Sequence, residues 1–340
     1  MLALVVGLLA LFLHNVNLWR VGADILRAKP QWLLLSLATM FVNLAIRAWR
    51  WKFLLEPLGP TTFANAFRAT AVGFAATSVL PARAGEVIRP YFLARTERRD
   101  GRMTATGAFA TIILERLLDT ITVLILLAWF VFVSGHESRT TSPVAFAAVK
   151  WAGAVAGLVS GGALIVLFVL AGDPGRIGRT VTKLERIAPS AFVALIATIA
   201  EKFALGLGVI RRPGRLLLAL LWSFPLWLSI CLGIWAVTVA FGFDIPFTGT
   251  FLVDAVLVLG VAVPTPGAVG GFHEAFRVAA TVFFSAPDES AVAAAIVLHL
   301  FSIGPSLLLG LLFAAQAGLN FNGMRRLADQ AQQPQPGHTV

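Results

Sequence analysis

Residues 105–133 read ATGAFATIILERLLDTITVLILLAWFVFV, an apolar run long enough to cross a lipid bilayer as a single helix. Comparable apolar runs lie on both sides of it, at Trp32–Ile46, Phe146–Ala171, Leu216–Phe241 and Val292–Ala315. Over the whole chain 58% of the residues are hydrophobic and only 13% are charged, whereas a soluble domain has about 25% charged residues. This is too little polar surface to cover a water-exposed globule. The sequence therefore predicts an all-α, polytopic membrane helical bundle.

The N-terminal run Met1–Leu13 is also apolar, but it is short. No small-residue cleavage site follows it, so we interpret it as a retained first span rather than a signal peptide. Together with the five runs above, this gives about six full spans.

The distribution of basic residues orients these spans. Lys and Arg concentrate in four stretches: 47–68, 83–102, 176–215 and 325–326. All four stretches fall on one side of the membrane only if two further apolar segments, 63–95 and 247–284, do not cross it. This arrangement predicts a multi-pass protein of the cytoplasmic (inner) cell membrane with a cytoplasmic C-terminus.

The two non-crossing segments are each interrupted by Pro and Gly and resemble one another. In the first, Gly85 follows Pro81 by four residues, and in the second, Gly270 follows Pro266 by four. Irregular backbone at membrane depth is tolerated where it is buried in protein or lines a wet cavity. We therefore predict two re-entrant hairpins that form an inverted repeat, as in many secondary transporters.

The rest of the chain adds little to this organisation. We expect residues 1–316 to form a single transmembrane domain. Within it, the stretch 183–210 is predicted to form amphipathic helices on the cytoplasmic face. The polar tail 317–340, rich in Gln and Pro, is predicted to be disordered.

Charge inside an apolar run is costly and indicates function or structural pairing. Glu115, Arg116 and Asp119 lie in the middle of the run quoted above. Glu115 and Asp119 share a helix face, and Arg116 is spaced to pair with Asp119. These three residues form a predicted intramembrane charge cluster. It serves either as a structural ion network or as a site for a substrate or a proton.

The first hairpin contains the motif Leu80-Pro81-x-Arg83-x-Gly85-Glu86-x-x-Arg89. A helix that starts near Glu86 offers free N–H groups, and the guanidinium groups of Arg83 and Arg89 suit phosphate or carboxylate. We predict an anionic headgroup site here. The alternative is a turn whose arginines anchor to the membrane interface.

Two further groups are candidates for contact with a lipid headgroup. Arg47 and Arg50 lie at the end of a span beside tryptophans, a pattern typical of an interfacial belt, although the two arginines share a face and are alternatively placed to guide lipid phosphates. The second hairpin contributes the remaining candidates, which are Pro266, Gly267, Gly270, His273 and Glu274. Its glycines indicate close helix packing or backbone that lines a cavity. His273 and Glu274 are candidates for a proton relay or for contact with a cationic headgroup, and the alternative is a purely structural role.

Several classes of function find no support in the sequence. It contains no Walker A loop, dinucleotide fingerprint or nucleophile elbow, and its five histidines have no metal-ligand spacing. We therefore predict no metal, no cofactor and no enzymatic activity. The net charge is +10, and the basic residues lie between the apolar runs. This position favours anionic lipid headgroups over nucleic acid as partners.

Four motifs together resemble the lysylphosphatidylglycerol synthase transmembrane-region family, whose members are also called flippase-like membrane proteins. In chain order they are Arg47-x-x-Arg50-Trp51, the Arg83–Arg89 motif, Glu115-Arg116-x-x-Asp119 and Pro264-x-Pro266-Gly267-x-x-Gly270. The acidic residue of the family's last motif usually stands where His273 is, whereas here it is Glu274. The resemblance implies lipid movement between leaflets. Only a short tail follows the last apolar run, so we do not expect the family's soluble lysyl-transfer activity.

The sequence thus predicts a lipid translocator that moves a phospholipid or a lipid-linked headgroup between leaflets. Its partners would be membrane lipids, either anionic phospholipid or lipid-linked sugar. An alternative is an integral membrane enzyme or accessory subunit in cell-envelope synthesis, with the same carboxylates as acid and base. A third is a scaffold for cell-envelope enzymes, in which the buried charges are purely structural.

Overall fold

The computed structural model describes residues 16–80, 83–97, 103–134, 143–172, 202–262 and 265–318, with isolated positions at 7, 10, 12, 13, 198 and 199. Across these residues the chain is helical. The helices are α1 Leu18–Arg27, α2 Pro30–Leu55, α3 Phe63–Val79, α4 Gly85–Thr96, α5 Ala105–Trp129, α6 Pro143–Gly172, α7 Pro213–Ala240, α8 Gly249–Val261, α9 Gly271–Phe284 and α10 Asp288–Gln316. Short 3-10 turns occupy Glu56–Leu58, Leu207–Arg211 and Pro266–Ala268, and a π-helical turn, Phe130–Ser134, extends α5.

Five of the described helical stretches are long and apolar enough to span a membrane: Pro30–Leu58, Ala105–Val133, Pro143–Val169, Pro213–Ala240 and Asp288–Gln316. They coincide with the five clearest apolar runs of the sequence. The predicted polytopic helical bundle is confirmed. The sixth predicted span, Met1–Leu13, lies almost entirely outside the described residues.

The first hairpin consists of α3 and α4, which pack against each other. The Thr62 side chain caps α3 by accepting a hydrogen bond from the Asn65 N–H. Arg83, with φ +53°, turns the chain between the two helices. At Gly85 the helices approach so closely that a Cβ would lie 1.8 Å from the Gly73 carbonyl oxygen. Glycine is thus required at position 85 for the hairpin to close.

The second hairpin consists of α8 and α9, which also pack against each other. The chain between them passes through a 3-10 turn in which Gly267 has φ +61°, and Gly270 precedes α9 with φ +87°. Such backbone conformations favour glycine. This turn contacts α3, so the two hairpins meet at their tips.

The helices divide into two units with the same packing plan, α2–α5 and α7–α10. Each unit is a long helix, a broken hairpin and another long helix. Corresponding helices make corresponding contacts. The first hairpin helix of each unit, α3 or α8, packs on the last helix of the other unit, α10 or α5. It also packs on the first helix of its own unit, α2 or α7. The first helices of the two units, α2 and α7, pack on each other. An internal repeat of this order is what the sequence predicts, while its inversion across the membrane stays a prediction.

The segment predicted to be amphipathic, 183–210, is described only in part. Its last residues do not lie on a surface, because Leu207, Val209 and Ile210 are buried in the core around the first hairpin. Gly206 permits this by approaching the Gly107 carbonyl group in α5. The prediction of a surface helix is therefore wrong for these residues. Residues 183–197 and the tail beyond Gly318 lie outside the described residues.

Candidate functional site

A network of buried charges joins α2 to α5. Arg50 Nη1 lies 2.6 Å from Asp119 Oδ1, and Arg47 Nη1 lies 3.3 Å from both Glu115 Oε1 and Asp119 Oδ2. All four residues are 5% exposed or less. The i, i+4 spacing of the two carboxylates and the i, i+3 spacing of the two arginines place each pair on one helix face. The two faces meet.

The first hairpin contributes a third arginine to this network. Arg89 Nη1, on α4, lies 3.1 Å from Glu115 Oε1. Its guanidinium carbon lies 3.9 Å from the ring centroid of Trp51, whose Nε1 donates a hydrogen bond to Thr111 Oγ1. The aromatic face stabilises the cation and fixes the plane of its guanidinium group.

The network is completed by α7, which belongs to the other unit. Trp227 Nε1 donates a hydrogen bond to Asp119 Oδ1 at 3.0 Å, and Arg50 Nη1 donates to Ser223 Oγ at 2.5 Å. The sequence analysis did not identify Trp227 or Ser223. Neither residue is charged or part of a motif. Their only signal was an i, i+4 pair of hydrogen-bonding side chains within an apolar run.

Positive charge exceeds negative charge among these buried groups. Arg47, Arg50 and Arg89 face only the two carboxylates of Glu115 and Asp119. Several buried atoms have no hydrogen-bond partner in the described part of the chain, and they include Nε of all three arginines, Nη2 of Arg50 and Arg89, and Glu115 Oε2. Unpaired guanidinium N–H groups in a buried site favour an anion. We call these five residues the arginine cluster.

A narrow cleft reaches the arginine cluster between α3, α4 and α5. Its wall includes Gly73, Thr77, Glu86, Arg89 and Arg116. The Arg116 side chain is 40% exposed, and its Nε lies 3.2 Å from Glu86 Oε1. The cleft volume is about 20 Å³, enough for roughly one water molecule. The arginine cluster is thus close to the protein surface but closed to a larger ligand in this conformation.

The family described as "Lysylphosphatidylglycerol synthase TM region" matches residues 1–310, nearly the whole chain. The protein belongs to this family. It is accordingly a multi-pass membrane protein tied to lipid or phospholipid handling. A search of curated proteins found none that matches the chain.

Three of the four sequence motifs of this family member converge on the arginine cluster. They supply Arg47, Arg50 and Trp51 from α2, Arg89 from α4, and the two carboxylates from α5. The convergence corrects one interpretation. Arg47 and Arg50 do not form an interfacial belt, because both are buried. They lie inside the bundle since their charges are balanced by α5.

The first-hairpin motif is arranged differently from the prediction. Arg83 and Arg89 do not converge on one site. Arg83 Nη2 donates to the Val261 carbonyl oxygen at the C-terminal end of α8, while Arg89 is buried in the arginine cluster. The positive φ of Arg83 directs its side chain away from α4 and towards the other hairpin. Arg83 thus links the two hairpin tips.

The pairing of Arg116 with Asp119 is also weaker than the spacing suggests. Their closest atoms are 3.6 Å apart, compared with 2.6 Å for Arg50 and Asp119. Arg116 is oriented towards Glu86 and the cleft instead. Of the three charges in the apolar run, two are buried partners and one is accessible.

The second-hairpin motif lies outside the arginine cluster. The Gly267 carbonyl oxygen lies 2.7 Å from His299 Nε2, and the rings of His273 and His299 contact each other at an angle of 47°, with centroids 4.3 Å apart. His273 Nδ1 accepts a hydrogen bond from the Gly270 N–H at the start of α9. Pro266 opens the 3-10 turn. These contacts fix the turn, and His299 was not among the predicted site residues.

Glu274 is separated from the other predicted acidic residues. It is partly exposed and pairs with Arg277 at 3.4 Å. Arg277 makes a shorter, bidentate contact with Asp288 at the start of α10, at 2.7 and 3.0 Å. Glu274 therefore belongs to an ion network between α9 and α10.

Proposed function

We propose that the protein is a lipid translocator of the cytoplasmic membrane, which moves a lipid with an anionic headgroup between leaflets. The observation that carries the proposal is the excess of buried guanidinium groups over carboxylates in the arginine cluster. A headgroup phosphate would supply the missing negative charge. The family's tie to lipid handling supports the same conclusion.

The physical task of a translocator is to lower the cost of passing a charged headgroup through hydrocarbon. A single charge in the membrane centre costs roughly 2.5–3.5 kcal/mol even on insertion scales. Guanidinium groups offset this cost because they match the geometry of phosphate oxygens. Arg89 is suited to this role, since two of its nitrogen atoms lack a partner in the described part of the chain.

Access to the arginine cluster would begin at Arg116. This residue faces the cleft, and Glu86 is its closest carboxylate. An incoming phosphate would displace Glu86 from Arg116 and then contact Arg89. Gly73 and Gly85 line the same cleft, and the absence of a side chain at Gly73 lets α3 approach Arg89 closely.

The two-unit architecture suggests how the cleft changes. In repeat-built transporters, one unit rocks against the other around a fixed site. The contacts that would break and reform are those at the hairpin tips, Arg83 to Val261 and His299 to Gly267. We include in this proposal the re-entrant course of both hairpins, their inverted relation and a cytoplasmic C-terminus.

A pair of matched variants tests the site. Arg116→Gln removes the cleft cation, while Arg68→Gln makes the same change on an exposed position of α3 outside the cleft. A hydrogen bond to a charged group is worth about 1.5–3 kcal/mol. We expect Arg116→Gln to slow translocation of fluorescent phosphatidylglycerol in proteoliposomes by about tenfold or more, and Arg68→Gln to leave the rate near that of wild type. Equal rates in the two variants would reject the cleft as the headgroup route.

A further inference from the structure

A buried carboxyl group lies apart from the arginine cluster, at Asp254 in α8. The residue is 3% exposed, in the middle of a 13-residue apolar helix. Its neighbours Phe251, Leu252 and Ala255 belong to the hydrophobic core between α5, α7 and α8. In the described part of the chain, no hydrogen bond or ion pair reaches its carboxyl group. An ionised carboxylate in such a place is strongly disfavoured, so the group is expected to bind a proton.

The titratable groups around Asp254 are few. Asp119 faces it from α5 and Cys231 from α7. The titratable residues of α9, which are His273, Glu274 and Arg277, are not among the groups that act on it electrostatically. The π-helical turn Phe130–Ser134 has no titratable side chain. In the described part of the chain, the charged group that acts on Asp254 is thus Asp119.

The arginine cluster is close to Asp254 through α7. Trp227, which binds Asp119, and Cys231, which lies beside Asp254, are four residues apart on that helix. Four residues of an α-helix span about 6 Å. Asp119 pairs with two of the three arginines, Arg47 and Arg50, and also acts electrostatically on Asp254, so a charge on Asp254 acts on the same network.

We propose that Asp254 is a proton-binding site coupled to the anion that occupies the arginine cluster; this inference rests on the proposed function. With the cluster empty of ligand, the excess guanidinium charge makes ionisation of Asp254 less costly. When a phosphodiester headgroup enters, its negative charge offsets that excess, so Asp254 holds its proton more tightly and, where it was ionised, takes up a proton from solvent. Lipid and proton then move in the same direction, with no net charge transferred for a monoanionic headgroup.

Linkage fixes the sign of the effect. If anion binding promotes protonation of Asp254, protonation must promote anion binding by the same factor. Acidifying the side on which the lipid loads should therefore speed its translocation. A gradient of the opposite sign should slow it.

The proton site is tested by infrared difference spectroscopy of the purified full chain during alkaline titration. Wild type should show the carbonyl band of a protonated carboxylic acid that disappears at high pH. Asp254→Asn should lack this band, while Asp244→Asn, the same change at an exposed position before α8, should keep it. Identical difference spectra for wild type and Asp254→Asn would overturn the proton site.

The coupling is tested by translocation of fluorescent phosphatidylglycerol in proteoliposomes under an imposed pH gradient. Wild type and Asp244→Asn should respond to the gradient by several-fold, and Asp254→Asn should not respond. Asp254→Glu, which keeps a carboxyl group, should restore the response. A gradient response that persists in Asp254→Asn would overturn the coupling. Wild-type protein that translocates no lipid would overturn the proposed function and the coupling with it, while the infrared band would still decide the proton site.

Discussion

The strongest prediction concerns Arg50, the closest partner of Asp119. Arg50→Met preserves an unbranched side chain of similar length but removes the 2.6 Å contact with Asp119 and the hydrogen bond to Ser223. Breaking a buried ion pair by removing one partner costs about 3–5 kcal/mol, because a buried charge is left uncompensated. Asp119 keeps Arg47 at 3.3 Å and the Trp227 indole at 3.0 Å. We therefore expect the lower end of that range, about 3 kcal/mol.

A matched control lies in the same network. Arg116→Met makes the same change at a side chain that is 40% exposed and 3.6 Å from Asp119. Exposed pairs of this kind are worth about 1 kcal/mol or less. The double variant Arg50→Met with Asp119→Leu should be more stable than the sum of the two single losses predicts, since it leaves no Asp119 charge unpaired.

The assay is unfolding of the purified protein by titration of a denaturing detergent into a mild one, followed by circular dichroism. Abundance in the membrane provides a second measurement. In both measurements we expect wild type to have the highest stability or abundance, Arg116→Met a slightly lower value and Arg50→Met the lowest. Equal loss in the two single variants, or none in Arg50→Met, would refute the burial of this ion pair.

Three further predictions test other parts of the molecule. Gly85→Ala should destabilise the protein by about 1–3 kcal/mol, since its Cβ would meet the Gly73 carbonyl oxygen. Gly161→Ala, a control inside α6 where nothing lies within 4 Å, should not destabilise the protein in the same unfolding assay, because Ala favours a helix over Gly; equal loss in the two variants, or none in Gly85→Ala, would contradict the close packing of α3 and α4. Arg83→Gln should raise amide hydrogen exchange in the 261–270 turn by about tenfold, because a hydrogen bond of a charged donor is lost there. Unchanged exchange would show that the Arg83 side chain does not stabilise the contact between the two hairpin tips. Single cysteines in a Cys231→Ser background should be labelled from the cytoplasm at position 98 and from outside at position 244. External labelling at position 98 would contradict the re-entrant course of the first hairpin.

The positions of the spans and of the interruptions in both hairpins were predictable because their signals are local. An apolar run of bilayer length predicts a span whatever surrounds it, and proline with glycine interrupts a helix in any context. The helices end and resume at Val79 and Gly85 and at Val261 and Gly271, inside the two segments expected to be broken. Charge inside an apolar run was equally informative, since Glu115 and Asp119 are both buried.

The partners of those carboxylates were not predictable, because they come from helices far apart in the chain. Arg47 and Arg50 stand beside tryptophans, a composition shared by interfacial belts and buried clusters alike. Only the packing of α2 on α5 and α7 distinguishes the two. Arg83 was misassigned for a related reason, since its direction depends on a positive φ in the turn that no local motif specifies.

The central claim is tested most directly by following lipid itself. Purified protein is reconstituted into liposomes that contain fluorescent phosphatidylglycerol, the label in the outer leaflet is quenched with a membrane-impermeant reductant, and the lipid is recovered for mass spectrometry. A translocator should bring all of the fluorescent lipid within reach of the reductant faster than protein-free liposomes do, with the lipid mass unchanged. A rate equal to that of protein-free liposomes, or a chemically modified lipid, would contradict the proposed function.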